Sequence, residues 1–259
     1  MLEKKKITIV TVVLNAQDTI IKTIQSVIKQ NFKDYEYIII EGNSSDLTRS
    51  RIYKFKKSIS KIIQQKKNGI YSAMNLAIKH SKGEWIFFLN SGDILYNNNV
   101  LSTVFNKIYN EKIIYGNVLK SYRYFNINWS GKNFNKNTLT MPFSHQSAFV
   151  RTELLRKNLF NIKYKIISDF IFFYYCFLKN LKFRKINNYI SIVSTDGISN
   201  NKRIFSIIES INFFFNIKKL FICLKLLLLL IYQSCIFFLK KIFYKKNFNK
   251  FTKIKNRFI

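Results

Sequence analysis

The chain has 259 residues, 48% of them hydrophobic and 17% aromatic, which permits a sizeable core and excludes disorder as the default. Its 44 Lys and Arg against 13 Asp and Glu give a net charge of +31. Nucleic acid, an anionic membrane surface or phosphorylated substrates could each explain that charge, and so could the Ile, Lys, Asn and Phe bias of an AT-rich genome. Three cysteines (Cys176, Cys223, Cys235) without a CxxC motif or a histidine cluster indicate neither a disulfide framework nor a zinc site, which fits a reducing compartment.

The first hundred residues alternate between strand and helix patterns. The apolar run at the N-terminus breaks too soon, at Asn15, for a signal peptide. Residues 7–14 are nearly all β-branched, which is typical of a strand buried on both faces of a parallel sheet. Further strands are predicted at 35–40, 61–63 and 84–89, and helices at 16–30, from about 46 to 55 and at 71–80. This order predicts a parallel α/β sheet, whose ligands bind at the carboxyl ends of the strands.

The second half of the sequence is less regular. Strands are predicted at 113–119, 121–129 and 182–193, helices at 151–158 and 167–179, and a strand or loop at 142–150. We therefore predict one α/β domain over 1–202, with a nucleotide-binding half (1–100) and an acceptor half (101–202).

Residues 203–259 form a predicted basic, apolar helical tail. They hold 12 Lys and Arg but one acid, Glu209. On a helical projection the lysines at 218, 219, 225, 240 and 241 share one side with Gln233, opposite Leu, Ile and Phe. This pattern favours a helix lying in the membrane interface. A spanning helix and a helix packed in the core are the alternatives.

Two acids follow predicted strands. Asp93 ends the turn Asn90-Ser91-Gly92-Asp93, where a carboxylate beside glycine could hold Mg²⁺ or Mn²⁺ on a diphosphate. Glu41 follows the second strand, where a carboxylate could accept hydrogen bonds from a ribose or base. Each could instead be an ordinary turn acid, and Asp46 is read as a helix N-cap.

Two further candidates come from the second half. Asp169 lies within an aromatic and aliphatic run, and it is either a general base or the cap of its helix. His145 is one of two histidines in the chain, and it either contacts phosphate or acceptor or is structural. His80 fits a helix C-terminus.

In this order the motifs resemble a known family. The segments ITIVTVVLN, IIIEGNSSD, GIYSAMN, WIFFLNSGD, HQSAFV and SDF resemble the family 2 glycosyltransferases of the GT-A fold, over roughly residues 5–200. The likeness is greatest to bacterial enzymes that build O-antigen, capsule and other surface polysaccharides, including lipopolysaccharide. The chain departs from the family's usual acids at Gln65, Lys67, Ser72 and Gly92.

The resemblance implies roles for individual residues. It implies a donor site at Thr11, Val13, Asn15, Glu41, Asn75 and Ser91, a metal-holding acid at Asp93, a catalytic base at Asp169, and acceptor or diphosphate contacts at His145, Gln146 and Ser199.

The resemblance also implies the reaction. The expected enzyme is an inverting glycosyltransferase that uses a divalent cation and a nucleotide-sugar donor, with a lipid-linked or saccharide acceptor. We expect it in the cytoplasm, attached peripherally to the inner face of the cell membrane, without nucleic acid as a partner. A nucleic-acid-binding protein and a catalytically inactive membrane-associated scaffold are the alternatives.

Overall fold

The computed structural model describes residues 5–66, 69–122, 124–194 and 203–235. By its internal contacts the chain divides into two compact units, Met1–Gly197 and Ile198–Ile259. Each unit is described separately below.

The first half of the first unit has the predicted alternation. Its elements are β1 (Ile7–Val13), α1 (Ile20–Ile28), β2 (Tyr35–Glu41), α2 (Thr48–Tyr53), a 3-10 turn (Lys56–Ser58), β3 (Lys61–Gln64), α3 (Ile70–His80) and β4 (Trp85–Phe88). The α/β class is therefore confirmed, including the short third strand.

The second half contains shorter strands and helices. Its elements are β5 (Ile94–Leu95), α4 (Val100–Phe105), β6 (Ile113–Ser121), β7 (Asn126–Trp129), a 3-10 turn (His145–Ser147), β8 (Ala148–Arg151), α5 (Thr152–Lys157), α6 (Ser168–Leu178) and β9 (Phe183–Ser194). The long strand predicted over 121–129 is wrong, because Ser121 pairs with Asn126 across a hairpin between β6 and β7.

Among the described residues, all nine strands join one sheet, in the order β3-β2-β1-β4-β8-β6-β9-β5 with β7 beside β6. The four strands of the first half are parallel. β8 then runs antiparallel to both β4 and β6, and β9 runs parallel to β6. The sheet is thus mixed, and its run of four adjacent parallel strands lies in the predicted nucleotide-binding half.

The core lies on both faces of the parallel strands. Ile7 and Ile9 of β1 pack in a cluster with α1, whereas Val10 packs in a second cluster with α3. Alternate side chains of a strand point to opposite faces, so an unbroken apolar strand supplies both clusters. Each fully buried aliphatic side chain contributes about 1.5–3 kcal/mol.

The second unit is helical where it is described. One helix spans Arg203–Asn216, and a second helical stretch spans residues 220–235. Lys218 lies between the two with a φ of +58°, a conformation that ends a helix. The second stretch exposes large apolar side chains spaced by three or four residues. They are Leu220, Phe221, Leu224, Leu227, Leu228, Ile231 and Tyr232. Within residues 5–66, 69–122, 124–194 and 203–235, no helix has both the length and the apolar character needed to cross a bilayer.

Candidate active site

The carboxyl ends of three adjacent strands form the floor of the candidate site. β2, β1 and β4 are neighbours in the sheet, and Val13 pairs with Glu41 where β1 and β2 end. After β4 ends, the N–H of Ser91 donates to the Val12 carbonyl at 3.3 Å. This hydrogen bond keeps the start of the 90–93 turn beside the end of β1. The sheet therefore brings Glu41 and the 90–93 turn to the same edge.

The end of β1 is tied to the loop after β2. The Val13 carbonyl accepts the N–H of Gly42 at 2.9 Å. Asn15, with a φ of +49°, donates its N–H to Ser44 Oγ at 3.0 Å and accepts the Ser45 N–H at 2.9 Å. Asn15 thus fixes the position of the predicted nucleoside loop.

The Thr11 side chain points into the core. Its hydroxyl is fully buried, donates to the Leu89 carbonyl at 2.8 Å and lies 3.0 Å from Tyr37 Oη. A contact of Thr11 with a nucleotide would therefore have to use backbone atoms.

Glu41 organises the turn that follows it. Its side chain is 1% exposed, and its two carboxylate oxygens accept the N–H groups of Asn43 (3.2 Å) and Ser44 (2.6 Å). Arg49 Nε lies 3.9 Å away. A buried carboxylate that accepts these two backbone N–H groups holds the loop in its conformation. The contact of Glu41 with a nucleoside stays a prediction.

Asp93 is buried at the end of its turn. Its Oδ1 accepts the Ser194 N–H at 3.0 Å, and it also hydrogen-bonds to the Gln146 side chain. Burial raises the pKa of the Asp93 carboxyl to about 7, although both hydrogen bonds act to lower it. Gly92 precedes it with a φ of +98°, which favours glycine, and its N–H donates to Thr23 Oγ1 at 3.1 Å.

Asp169 lies in the first turn of α6, where the helix dipole favours a negative charge. Its side chain is 22% exposed, so it is less buried than its apolar neighbours in the sequence suggested. Tyr71 Oη donates to Asp169 Oδ1 at 2.8 Å and lies 2.6 Å from the Ile166 carbonyl. His145 Nδ1 lies 3.8 Å from the other carboxylate oxygen.

The dipeptide His145-Gln146 lies between the two acids. The His145 ring stacks on Phe88 at 5.4 Å, and within the described part of the chain neither ring nitrogen has a hydrogen-bond partner. Burial lowers the pKa of His145, whereas the Asp169 carboxylate acts to raise it. Gln146 bonds to Asp93, and its carbonyl accepts the Ser191 hydroxyl at 2.5 Å. One short 3-10 turn therefore contacts both Asp93 and Asp169.

The remaining predicted residues have different surroundings. The Asn75 amide is paired in both directions with the backbone of Phe160, at 2.8 and 2.9 Å. The Ser91 hydroxyl lies 3.4 Å from Thr19 Oγ1. Ser199 lies outside the described residues.

Sequence reasoning gave no role to Tyr71, although it lies inside the quoted motif GIYSAMN. A buried tyrosine hydroxyl needs a hydrogen-bond partner, and that rule was the available signal. Its partner Asp169 is 98 residues away along the chain, so the pairing could not be read from the sequence.

The residues around Asp93 fit a divalent cation. The buried Asn90 Oδ1 has no hydrogen-bond partner among the described residues, and it belongs to the same turn as the Asp93 carboxylate. Mg²⁺ and Mn²⁺ prefer oxygen ligands and commonly bind through one or two protein groups together with substrate phosphates. In the described part of the chain there is no cluster of three His, Cys, Asp or Glu that could hold a metal ion.

Sequence comparisons find similarity to several glycosyltransferases. The PGL/p-HBAD biosynthesis glycosyltransferase of Mycobacterium tuberculosis is 26% identical over 63% of this chain and 66% of its own length. The cholesterol galactosyltransferase of Borreliella burgdorferi is 26% identical over 73% of this chain and 60% of its own. The Escherichia coli UDP-Glc:alpha-D-GlcNAc-diphosphoundecaprenol beta-1,3-glucosyltransferase WfgD is 37% identical over 31% of this chain and 32% of its own. The chain therefore spans less than two thirds of the length of these relatives.

Solved structures show the same fold. Staphylococcus aureus TarS 1–349 in complex with UDP has a TM-score of 0.61 at 17% identity, over 80% of this chain and 63% of its own. The mannosyltransferase PcManGT of Pyrobaculum calidifontis, in complex with GDP-Man and Mn²⁺, has a TM-score of 0.64 at 14% identity, over 84% of this chain and 65% of its own. The sequence profile of glycosyl transferase family 2 matches residues 8–181, so this chain belongs to that family.

Proposed function

We propose that the protein transfers a sugar, with inversion, from a nucleotide-sugar donor to a lipid-linked or saccharide acceptor in surface-polysaccharide synthesis. The observation that carries the proposal is the pair Asp93 and Asp169, both contacted by the His145-Gln146 turn. One acid is deeply buried and the other is partly exposed, so the two are in different environments as a metal-holding acid and a general base require.

The reaction follows from these positions. Asp169 accepts the proton of the acceptor hydroxyl while the new bond forms between that oxygen and the anomeric carbon of the sugar. The bond from the same carbon to the diphosphate breaks, and the nucleoside diphosphate leaves. A divalent cation held by Asp93 and Asn90 would supply positive charge to that diphosphate.

The relatives support this choice of substrates. WfgD is named for a diphosphoundecaprenol-linked acceptor, and the Borreliella burgdorferi relative for cholesterol. TarS and PcManGT were solved with UDP and with GDP-Man and Mn²⁺. A nucleotide-sugar donor and a lipid-borne acceptor are therefore the substrates we propose.

The proposal also places the protein at an anionic membrane surface. Residues 220–235 expose a row of large apolar side chains, with Leu220, Phe221 and Leu228 each more than 60% exposed. Lys218 and Lys219 precede the row, and Lys225 Nζ lies 4.5 Å from the Phe221 ring centre. An apolar face beside lysines is the pattern of an interfacial helix, and it supports peripheral attachment.

Substitution of the base tests the proposal. Asp169→Asn keeps the shape of the side chain but accepts no proton, so turnover should fall by about 10²–10⁴-fold at unchanged donor affinity. The donor is first chosen by thermal shift in a screen of nucleotide sugars with Mn²⁺. Asp34→Asn, a surface acid outside the site, is the matched control and should keep full turnover. Loss of donor binding with unchanged turnover per bound donor would instead make Asp169 a structural cap.

A further inference from the structure

The hairpin of β6 and β7 extends from the same edge of the sheet as the candidate site. Ser121 ends β6 and pairs with Ser194 of β9, whose N–H donates to Asp93 Oδ1. The chain then turns, with the N–H of Tyr122 donating to the Phe125 carbonyl at 2.9 Å, and returns as β7. Among the described strands β7 pairs with β6 alone, so its other edge is open.

One face of the hairpin exposes large apolar side chains. Phe125, Ile127 and Trp129 alternate along the strand, so they lie on one face of it. Phe125 is 57% exposed, Ile127 is 44% exposed and Trp129 is partly exposed. The Tyr122 ring stacks on Phe125 at 4.7 Å between ring centres, which extends this face toward the turn. The intervening positions of β7 are asparagines, so the strand has one apolar and one polar face.

The part of the chain that contains the hairpin is basic. Residues 112–152 hold six Lys or Arg and no Asp or Glu, and β9, which also pairs with β6, contains no acid. Lys120 Nζ lies 3.6 Å from the centre of the Trp129 ring, so one of these cations borders the apolar face directly. Apolar side chains beside cations are complementary to a surface that offers both hydrocarbon and negative charge, as an anionic membrane does.

Two other occupants fit this face less well. A second copy of the chain could add a strand to the open edge of β7, but it would bring an equally basic hairpin against this one, and like charges oppose that contact. A neutral saccharide could stack on the rings, yet it would gain nothing from the surrounding charge. Tyr124, in the turn, is 83% exposed. Tyrosine and tryptophan are enriched where a membrane meets water, because their rings are apolar with a polar tip.

We propose that the apolar face of the β6–β7 hairpin inserts into the headgroup region of an anionic membrane. Phe125, Ile127 and Trp129 enter the boundary with the acyl chains, and Lys120 stays at the level of the lipid phosphates. Because β6 ends beside the strand that contacts Asp93, insertion holds the candidate site at the bilayer surface. This inference rests on the membrane attachment in the proposed function, and it adds a contact within the first unit that does not involve residues 220–235.

Tryptophan fluorescence of the full-length protein tests the inference. The chain has two tryptophans, of which Trp85 is 1% exposed in the core and Trp129 lies on the hairpin. The probe is a vesicle of phosphatidylglycerol and phosphatidylcholine with bromine, a contact quencher, in the upper part of the acyl chains. Side chains of an interfacial segment lie about 5–10 Å deep, so about a third to a half of the emission should be lost.

Three controls assign this loss to the hairpin and to anionic lipid. Trp129→Phe keeps a ring on the apolar face, so it should float with the vesicles and show no quenching. Brominated phosphatidylcholine alone should quench the unaltered protein much less, and bromine near the ends of the acyl chains should quench it less than bromine near the headgroups. Equal quenching by neutral and anionic vesicles would overturn the assignment to an anionic membrane.

Two acid substitutions on neighbouring residues test the orientation of the hairpin. Ile127→Glu places an acid on the apolar face, opposite Lys120 in the sheet register, and should lose most of the quenching. Asn128→Glu makes the same change of one negative charge on the polar face and should keep most of it. Thermal unfolding confirms that both variants are folded. Equal quenching of Ile127→Glu and the unaltered protein would overturn the inference.

Flotation and donor binding separate this inference from the proposed function. If the protein floats and binds a nucleotide sugar with Mn²⁺ but Trp129 is not quenched, the hairpin inference alone fails. If the protein does not float, the proposed attachment fails with it. If no nucleotide sugar binds, the proposed transfer fails whatever the quenching shows. A dimer in lipid-free solution that Ile127→Glu dissociates and Asn128→Glu does not would overturn the inference and assign the face to a second copy.

Discussion

The buried carboxyl group of Asp93 destabilises the fold when it ionises. The buried Asp93 has a pKa raised to about 7, far above the 3.8 of a free aspartate. The folded state therefore binds this proton more tightly than the unfolded state. Ionisation of Asp93 destabilises the fold increasingly as pH rises from about 4 to about 7, and the full cost is present above 7.

Asp93→Asn should therefore stabilise the protein while abolishing metal-dependent nucleotide binding. We expect a gain of about 1–2 kcal/mol at pH 8 in the presence of a chelator, and no gain near pH 4, where both forms are uncharged. Thermal unfolding at the two pH values measures it.

Asp46→Asn is the control, and we expect it to change stability in the opposite direction. Hydrogen bonding from Thr48 lowers the pKa of Asp46, so losing that carboxylate should lower stability at pH 8. An equal gain for Asp93→Asn at both pH values would show that its charge is not the cause.

Tyr71 is expected to position the base rather than bind substrate. Its hydroxyl donates to Oδ1 of Asp169 at 2.8 Å, and the Phe170 N–H donates to the same oxygen at 2.9 Å, so removing the hydroxyl takes away one of these two restraints on the carboxylate. Tyr71→Phe should lower kcat by about 10-fold to 100-fold with little change in the KM for the donor. Steady-state kinetics with the chosen donor measures both constants.

The matched control is Tyr109→Phe, which removes a phenol of similar burial outside the site and should leave kcat unchanged. A purely structural role of Tyr71 would show as a lower thermal midpoint without a selective fall in kcat.

At the scale of elements, α3 is joined to the α5–α6 segment by Asn75. Both the donor and the acceptor of its amide are used by the Phe160 backbone, and Phe160 in turn packs against Tyr71 at 5.6 Å between ring centres. The same helix therefore holds the base through Tyr71 and the segment before α6 through Asn75.

Asn75→Ala should destabilise the fold by about 1–3 kcal/mol, because two buried backbone groups of Phe160 lose their partners. Chemical denaturation measures this loss, and donor titration measures nucleotide affinity. The result also decides between two roles for Asn75. Weaker donor binding without loss of stability would favour the donor contact implied by the family resemblance.

Strongly patterned elements were predictable from the sequence, whereas the contacts between distant elements were not. The continuous β-branched run of β1 and the helical spacing of α1 identified both elements. β5 has only two residues, too few for any periodicity, although it pairs with β9 at the far end of the sheet. β8 lies between β4 and β6 and runs antiparallel to both, which makes the sheet mixed. This position depends on tertiary packing and could not be predicted from local sequence.

The candidate site could be predicted only in part. Asp93 and Asp169 were singled out as candidates because acids are rare in this sequence and because both lie in segments that resemble family motifs. Their link through His145 and Gln146 depends on side chains brought together by folding. Gln65, which stands where the family commonly has an acid, instead donates to Ser72 at 2.8 Å, and no sequence rule predicts that pair.

For the whole molecule, the exposed apolar row of residues 220–235 suggests that the second unit attaches the protein to a membrane. Buried apolar area and the attraction of lysines to anionic lipid, about 1 kcal/mol for each surface charge, would act together. The full-length protein should float with liposomes that contain anionic lipid, and salt should weaken the attachment.

Two variants of the row make the test specific. Phe221→Glu with Leu228→Glu places two acids among exposed apolar side chains, so flotation should fall at least tenfold without loss of the thermal midpoint. Ile108→Glu introduces the same kind of change at a 98% exposed position in the first unit and should float like the unaltered protein. If the double variant still floats and neither high salt nor carbonate releases it, the attachment does not depend on this face. An in-plane helix would then be the wrong description, because an interfacial helix loses its hold when its apolar face is charged.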